Sequence, residues 1–88
     1  MKNCIVCNLA LFSLRQKIYY VGENNQLTLI GDAGMVELPD VIINACDHYG
    51  TNKVHLVGGG DTFANNLSNE IQKIGMTQYN KRIEIEVE

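Results

Sequence analysis

The sequence predicts one small α/β domain, with α+β as the alternative class for the same elements, and three observations predict it. Five short segments carry apolar residues at strand period, two longer segments carry them at helical spacing, and turn-forming residues separate them. The resulting order is β-β-β-α-β-α-β, a mixed sheet with two helices, with residues 1–88 forming a single compact unit.

The elements follow from the residues in order. Residues 3–12 are a β-rich apolar run, Cys4-Ile5-Val6-Cys7-Asn8-Leu9-Ala10-Leu11-Phe12. Both of its faces are mostly apolar, so the expectation is a strand near the middle of a sheet and covered on both sides. Residues 13–16 are polar enough to turn. Residues 17–21, Lys17-Ile18-Tyr19-Tyr20-Val21, are a second strand, and Gly22-Glu23-Asn24-Asn25 is a strong turn signal. Residues 26–30 alternate, with Leu27 and Leu29 on one face and Thr28 on the other, and the spacing suggests a meander. Gly31-Asp32-Ala33-Gly34 is expected to break that strand.

Pro39 fits the first turn of a helix, where its missing N–H costs nothing, and Asp40 beside it suits the positive end of the helix dipole. Val41, Ile42, Ala45, Cys46 and Tyr49 form an apolar stripe, and Gly50 is a C-terminal stop. Residues 54–57 are a short strand that runs into Gly58-Gly59-Gly60-Asp61, the most distinctive feature of the chain. In the next helix Phe63, Leu67, Ile71 and Ile74 make the core stripe, Asp61 or Thr62 is placed to cap its start, and Gly75 is expected to stop it. Residues 82–87 alternate strictly, with Ile83, Ile85 and Val87 inward and Glu84 and Glu86 outward. That charged face guards a sheet edge against edge-to-edge pairing.

Composition narrows function mainly by exclusion. The apolar content is 45% and the formal net charge is -3. The seven Lys and Arg are scattered, so no basic face exists to displace the counterions of a nucleic acid, although Lys81 and Arg82 make a small patch. No apolar run approaches the roughly 20 residues that span a bilayer. The N-terminus reads as strand rather than signal peptide. Three cysteines without a spaced framework fit a reducing cytoplasm. A domain this small has a small core, which makes self-association a natural source of further burial.

The element order, together with Val54-His55-Leu56-Val57-Gly58-Gly59-Gly60-Asp61 and the helix after it, carries a resemblance. The order is similar to the core of the ribonuclease H-like fold, whose members include Holliday-junction resolvases and actin-like ATPases. The glycine segment resembles a strand end that lies near the nucleotide in the actin-like ATPases. In size and style the chain also resembles small bacteriophage proteins. The resemblance implies a ribonuclease H-like minimal core, but the family's chemistry does not come with it. Its nucleases take their first metal-binding carboxylate from the middle of the first strand, where this chain has Asn3 and Asn8 and no acid before Glu23. An amide does not supply the anionic oxygen a hard divalent cation prefers. The Asp-x-Gly phosphate loop of the ATPases is also missing.

The triple-glycine turn admits two readings. Backbone N–H groups at Gly58, Gly59 and Gly60, with Asp61 and Thr62 at the helix start, can cradle a phosphate or nucleotide. Against that, the chain has no Walker lysine, Asp61 repels a phosphate, and glycines serve equally well as a tight turn of positive φ. Cys4 and Cys7, three apart in a strand, point to opposite faces and do not chelate a metal together. Cys46, Asp47 and His48 are adjacent on a helix, about 100° apart, and do not converge as a catalytic set. His48 suits the negative end of its helix, and His55 is expected on a partly exposed sheet face. Tyr19 and Tyr20 face opposite ways, one packed and one available to a partner. The functional expectation is a non-catalytic binding or regulatory module with a protein partner, acting through self-association, with no cofactor and no metal. The alternatives are a nucleotide or phosphate binder at Gly58–Gly60 and, last, a divergent nuclease using Asp32 or Asp61.

Overall fold

The computed structural model describes residues 2–10 and 12–88. Its elements are β1 (Cys4–Leu9), β2 (Arg15–Val21), β3 (Leu27–Gly34), α1 (Leu38–Tyr49), β4 (Lys53–Gly58), α2 (Gly60–Gln78) and β5 (Glu84–Val87). The order is the one the sequence predicts. The five strands form one mixed sheet in the spatial order β3-β2-β1-β4-β5. β2 is antiparallel to both of its neighbours, while β1, β4 and β5 run parallel. The α+β class describes this arrangement best, because the meander and the crossover half occupy different sides of β1.

β1 is central, as its apolar run predicts, but it is covered on one face only. α1 and α2 pack against each other and against the same side of the sheet. Ile5, Cys7 and Leu9 point into that layer, where they meet Ile18, Val54 and Leu56 from the sheet and Leu38, Ile42, Ile43, Cys46, Leu67 and Ile71 from the helices. On the opposite face, Cys4 and Val21 pair in register and are 2% and 5% exposed, yet they lie outside the core cluster. An apolar strand therefore reports a central position without reporting two covering layers.

Two further expectations are corrected. Gly31-Asp32-Ala33-Gly34 does not break the third strand. After a register shift at Ile18/Tyr19, the ladder resumes with Lys17 opposite Asp32 and Arg15 opposite Gly34. The bulge falls at Ile30, which is skipped in the pairing, Ala33 enters the core at 2% exposure, and Arg15 Nε donates to Asp32 Oδ1 at 2.7 Å. Gly75 does not stop α2, which runs on to Gln78. Gly75 is instead buried where the returning chain crosses the helix: a Cβ there would lie 2.8 Å from the Lys81 carbonyl oxygen and 3.2 Å from Ile83 Cγ1. The glycine is needed for close approach, which composition alone cannot distinguish from a stop. Gly50 does terminate α1, in the left-handed conformation (φ 67°), with its N–H directed to the Asp47 and Cys46 carbonyls.

Candidate functional site

Because β2 runs against the other strands, the carboxyl ends of β1, β3 and β4 all emerge at one end of the molecule. That end gathers the β1–β2 turn, the β3–α1 loop and the triple-glycine turn. The crevice outside strand carboxyl ends is where open α/β sheets commonly place their sites.

The glycines are there for two physical reasons. Gly58, Gly59 and Gly60 have φ of 86°, 78° and 74°, which side chains disfavour. Gly58 pairs with Leu9 across the β1–β4 ladder, and a Cβ on it would meet the Leu9 carbonyl oxygen at 2.6 Å. Gly59 lies equally close to the Leu9 side chain and to Phe63, whereas Gly60 faces open space. The Gly58 N–H already donates to the Glu88 carbonyl at 3.2 Å. Asp61 and Thr62 do not cap the helix as expected. α2 begins a residue or two earlier, at Gly60, with Gly59 as N-cap and no side-chain hydrogen bond. Three left-handed residues in a row deliver the chain into the helix before either oxygen can reach back. Both residues are exposed.

The β1–β2 turn is the part of this end that sequence reasoning passed over. Gln16, 1% exposed, turns its amide inward from β2. Its Oε1 accepts the Ala10 N–H at 2.7 Å, and its Nε2 donates to the Ser13 carbonyl at 3.0 Å. Ser13 Oγ donates to the Arg15 carbonyl at 2.7 Å. Two apolar side chains of this turn are open to solvent: Phe12 and Leu14 are 102% and 91% exposed. Across the ladder, Val36 on the β3–α1 loop is 90% exposed. The signal in the sequence was an apolar pair beside a buried polar residue, and it was split between a long first strand that took in Phe12 and a polar turn that took in Leu14 and Gln16.

The remaining candidates stay apart. Asp32 sits on β3, three strands from β4 and so about 14 Å across the sheet from the glycine turn, and it is held by Arg15. Asn8, an amide of the first strand, is exposed between its register partners Lys17 and Val57. Among the described residues no group of three or more His, Cys, Asp or Glu side chains converges as a metal site. Cys4 and Cys7 lie on opposite faces as expected, and all three cysteines are free and buried. Burial pushes the Cys7 thiol up to about 12 and the Cys46 thiol up to about 11. Both are therefore poor nucleophiles.

His48 is exposed and lies edge-on to Tyr49. His55 lies on the uncovered sheet face with Nε2 3.5 Å from the Glu86 carboxylate, and its buried Nδ1 has no partner among the described residues. Tyr20 stacks on Tyr49 with centroids 4.3 Å apart, while the pairing of Tyr19 with Val6 puts it on the uncovered face. No helix among the described residues is long and apolar enough to cross a membrane. Compared with protein-family models, curated proteins and solved structures, the chain matches none.

Proposed function

We propose that this chain is a non-catalytic binding or regulatory module on a ribonuclease H-like minimal core, acting through a protein interface and self-associating. The observation that carries the reading is the near-complete exposure of Phe12, Leu14 and Val36 at 102%, 91% and 90%. Large apolar side chains scattered singly over a surface need no explanation, but a group of them gathered at one end of the molecule favours an interaction site. The strand order β3-β2-β1-β4-β5 with β2 reversed supports the ribonuclease H-like core. The free, buried cysteines suit a reducing, cytoplasmic setting. Light scattering across a concentration series, paired with a pull-down from the native host, tests the reading. A monomer at every concentration that also retains no protein would remove it.

A second reading is a phosphate or nucleotide site at Gly58, Gly59, Gly60, Asp61 and Thr62, favoured by the lack of any side-chain cap on α2. An uncapped helix start leaves N–H groups and the positive dipole end available to an anion. Thermal-shift measurements with phosphate and nucleotides at millimolar concentration test it, and an unchanged midpoint rejects it.

A further inference from the structure

We infer that the outer edge of β5, together with the groove between it and α2, is the docking site for an extended basic segment of a partner protein, which adds one more strand to the sheet. The site does not involve Phe12, Leu14 or Val36 and is independent of the reading above.

β5 ends the sheet, and among the described residues no strand lies beyond it. Its backbone is bonded inward at every second residue. The Glu84 N–H donates to the Asn52 carbonyl at 2.8 Å, the Glu88 N–H donates to the Leu56 carbonyl at 2.9 Å, and the Glu88 carbonyl accepts the Gly58 N–H at 3.2 Å. In a parallel ladder the residues in between turn their N–H and C=O groups the other way. Ile85 and Val87 therefore present donors and acceptors outward in strand geometry, which is the template for strand addition. The β3 edge is a poorer template, because the bulge at Ile30 breaks its ladder.

The side chains around β5 decide what the added strand must carry. On the helix side, Ile83 and Ile85 with Gln72 and Met76 of α2 line an open groove of about 510 Å³. Met76 is 54% exposed there. On the uncovered side, Glu84, Glu86 and Glu88 follow at every second position, all exposed. Lys53 is the register partner of Glu84, and Glu86 lies 3.5 Å from His55 Nε2. Among the described residues no Lys or Arg is ion-paired with any of the three glutamates. Arg82 also lines the groove, ahead of the start of β5, so the acidic part of the edge is Glu86 and Glu88. A strand laid on this edge alternates in step with β5. Its side chains on one face enter the groove and are apolar, and those on the other face stand beside the glutamates and are basic. Opposite charges on neighbouring strands attract and like charges repel. A second copy of β5 would set glutamate beside glutamate, so the row that disfavours self-pairing selects a basic segment.

Fluorescence anisotropy of a labelled, end-capped peptide of alternating lysine and valine, titrated with the full chain, tests the inference. Saturable binding is expected, about tenfold tighter than that of the same peptide with glutamate in place of lysine. The double variant Glu86→Lys/Glu88→Lys is expected to reverse that preference, which misfolding cannot do. Val87→Pro deletes an outward N–H and no bond to β4, and edge strands tolerate proline. Its circular dichroism spectrum is expected to be unchanged while peptide binding weakens about fivefold or more. Phe12→Ser/Leu14→Ser is expected to bind the peptide as the wild type does. Absence of binding at millimolar chain, equal binding of the two peptides, or a Val87→Pro variant that binds like the wild type each overturns the inference. If binding is lost instead in Phe12→Ser/Leu14→Ser, the peptide sits on the surface of the reading above, which then survives while the β5 edge falls.

Discussion

Replacing Gly75 with alanine should destabilise this protein, against the usual sign for such a change in a helix interior. In a solvated helix Gly→Ala contributes about 0.8–1.0 kcal/mol of stability, because alanine has less backbone freedom to lose. Position 75 is buried, and the new Cβ would sit 2.8 Å from the Lys81 carbonyl oxygen and 3.2 Å from Ile83 Cγ1. The first neighbour is backbone and cannot rotate away. Nor can the 79–81 segment retreat freely, because the Gly75 carbonyl accepts the Lys81 N–H at 2.8 Å and the Tyr79 N–H at 3.2 Å. Overpacking costs about 1–3 kcal/mol, and a backbone neighbour at 2.8 Å puts this site in the upper part of that range, so a net loss of about 1–2 kcal/mol remains after the propensity gain. For a domain of this size that lowers Tm by about 5–15 °C. Thermal and urea unfolding followed by circular dichroism measure it, with Asn69→Ala on the exposed side of α2 as the propensity control. A Gly75→Ala midpoint equal to or above wild type would refute the close-approach reading and restore Gly75 as an ordinary helix glycine.

Three other outcomes are expected. Gln16→Leu leaves the Ala10 N–H and Ser13 carbonyl without their partner, which costs about 2 kcal/mol and is read by urea unfolding; faster hydrogen exchange at Ala10 than in the β1–β4 ladder would accompany it. His55→Leu removes a buried nitrogen that has no partner and is expected to raise stability by about 1 kcal/mol; a drop in the unfolding midpoint would mean that Nδ1 has a partner in solution. Burial raises Cys7 and Cys46 from an ordinary value of 9.0 to about 12 and about 11, so their contribution is fully present below pH 9 and is lost as pH rises toward those values. Unfolding midpoints should therefore fall above pH 9, and Cys7→Ala/Cys46→Ala should flatten that fall even while lowering the plateau.

The sequence by itself determined the element order, the centrality of β1 and the edge position of β5. Each of these follows from local period: apolar residues at strand or helix spacing, and glutamates at every second position from Glu84 to Glu88. It also determined that Cys4 and Cys7 do not meet, since strand alternation alone sends them to opposite faces. What only the tertiary structure decided were matters of approach between distant segments. Gly75 reads as a stop until Lys81 and Ile83 are seen against it, and Gly31-Asp32-Ala33-Gly34 reads as a break until β2 is seen to pair with it across a bulge. Asp61 reads as a cap until the three left-handed glycines are seen to start α2 ahead of it. The exposed patch was hidden for the same reason. Phe12 reads as the end of an apolar strand and Leu14 as part of a polar turn, and only the Gln16 side chain, bound to Ala10 and Ser13, shows the chain turning there with both residues exposed.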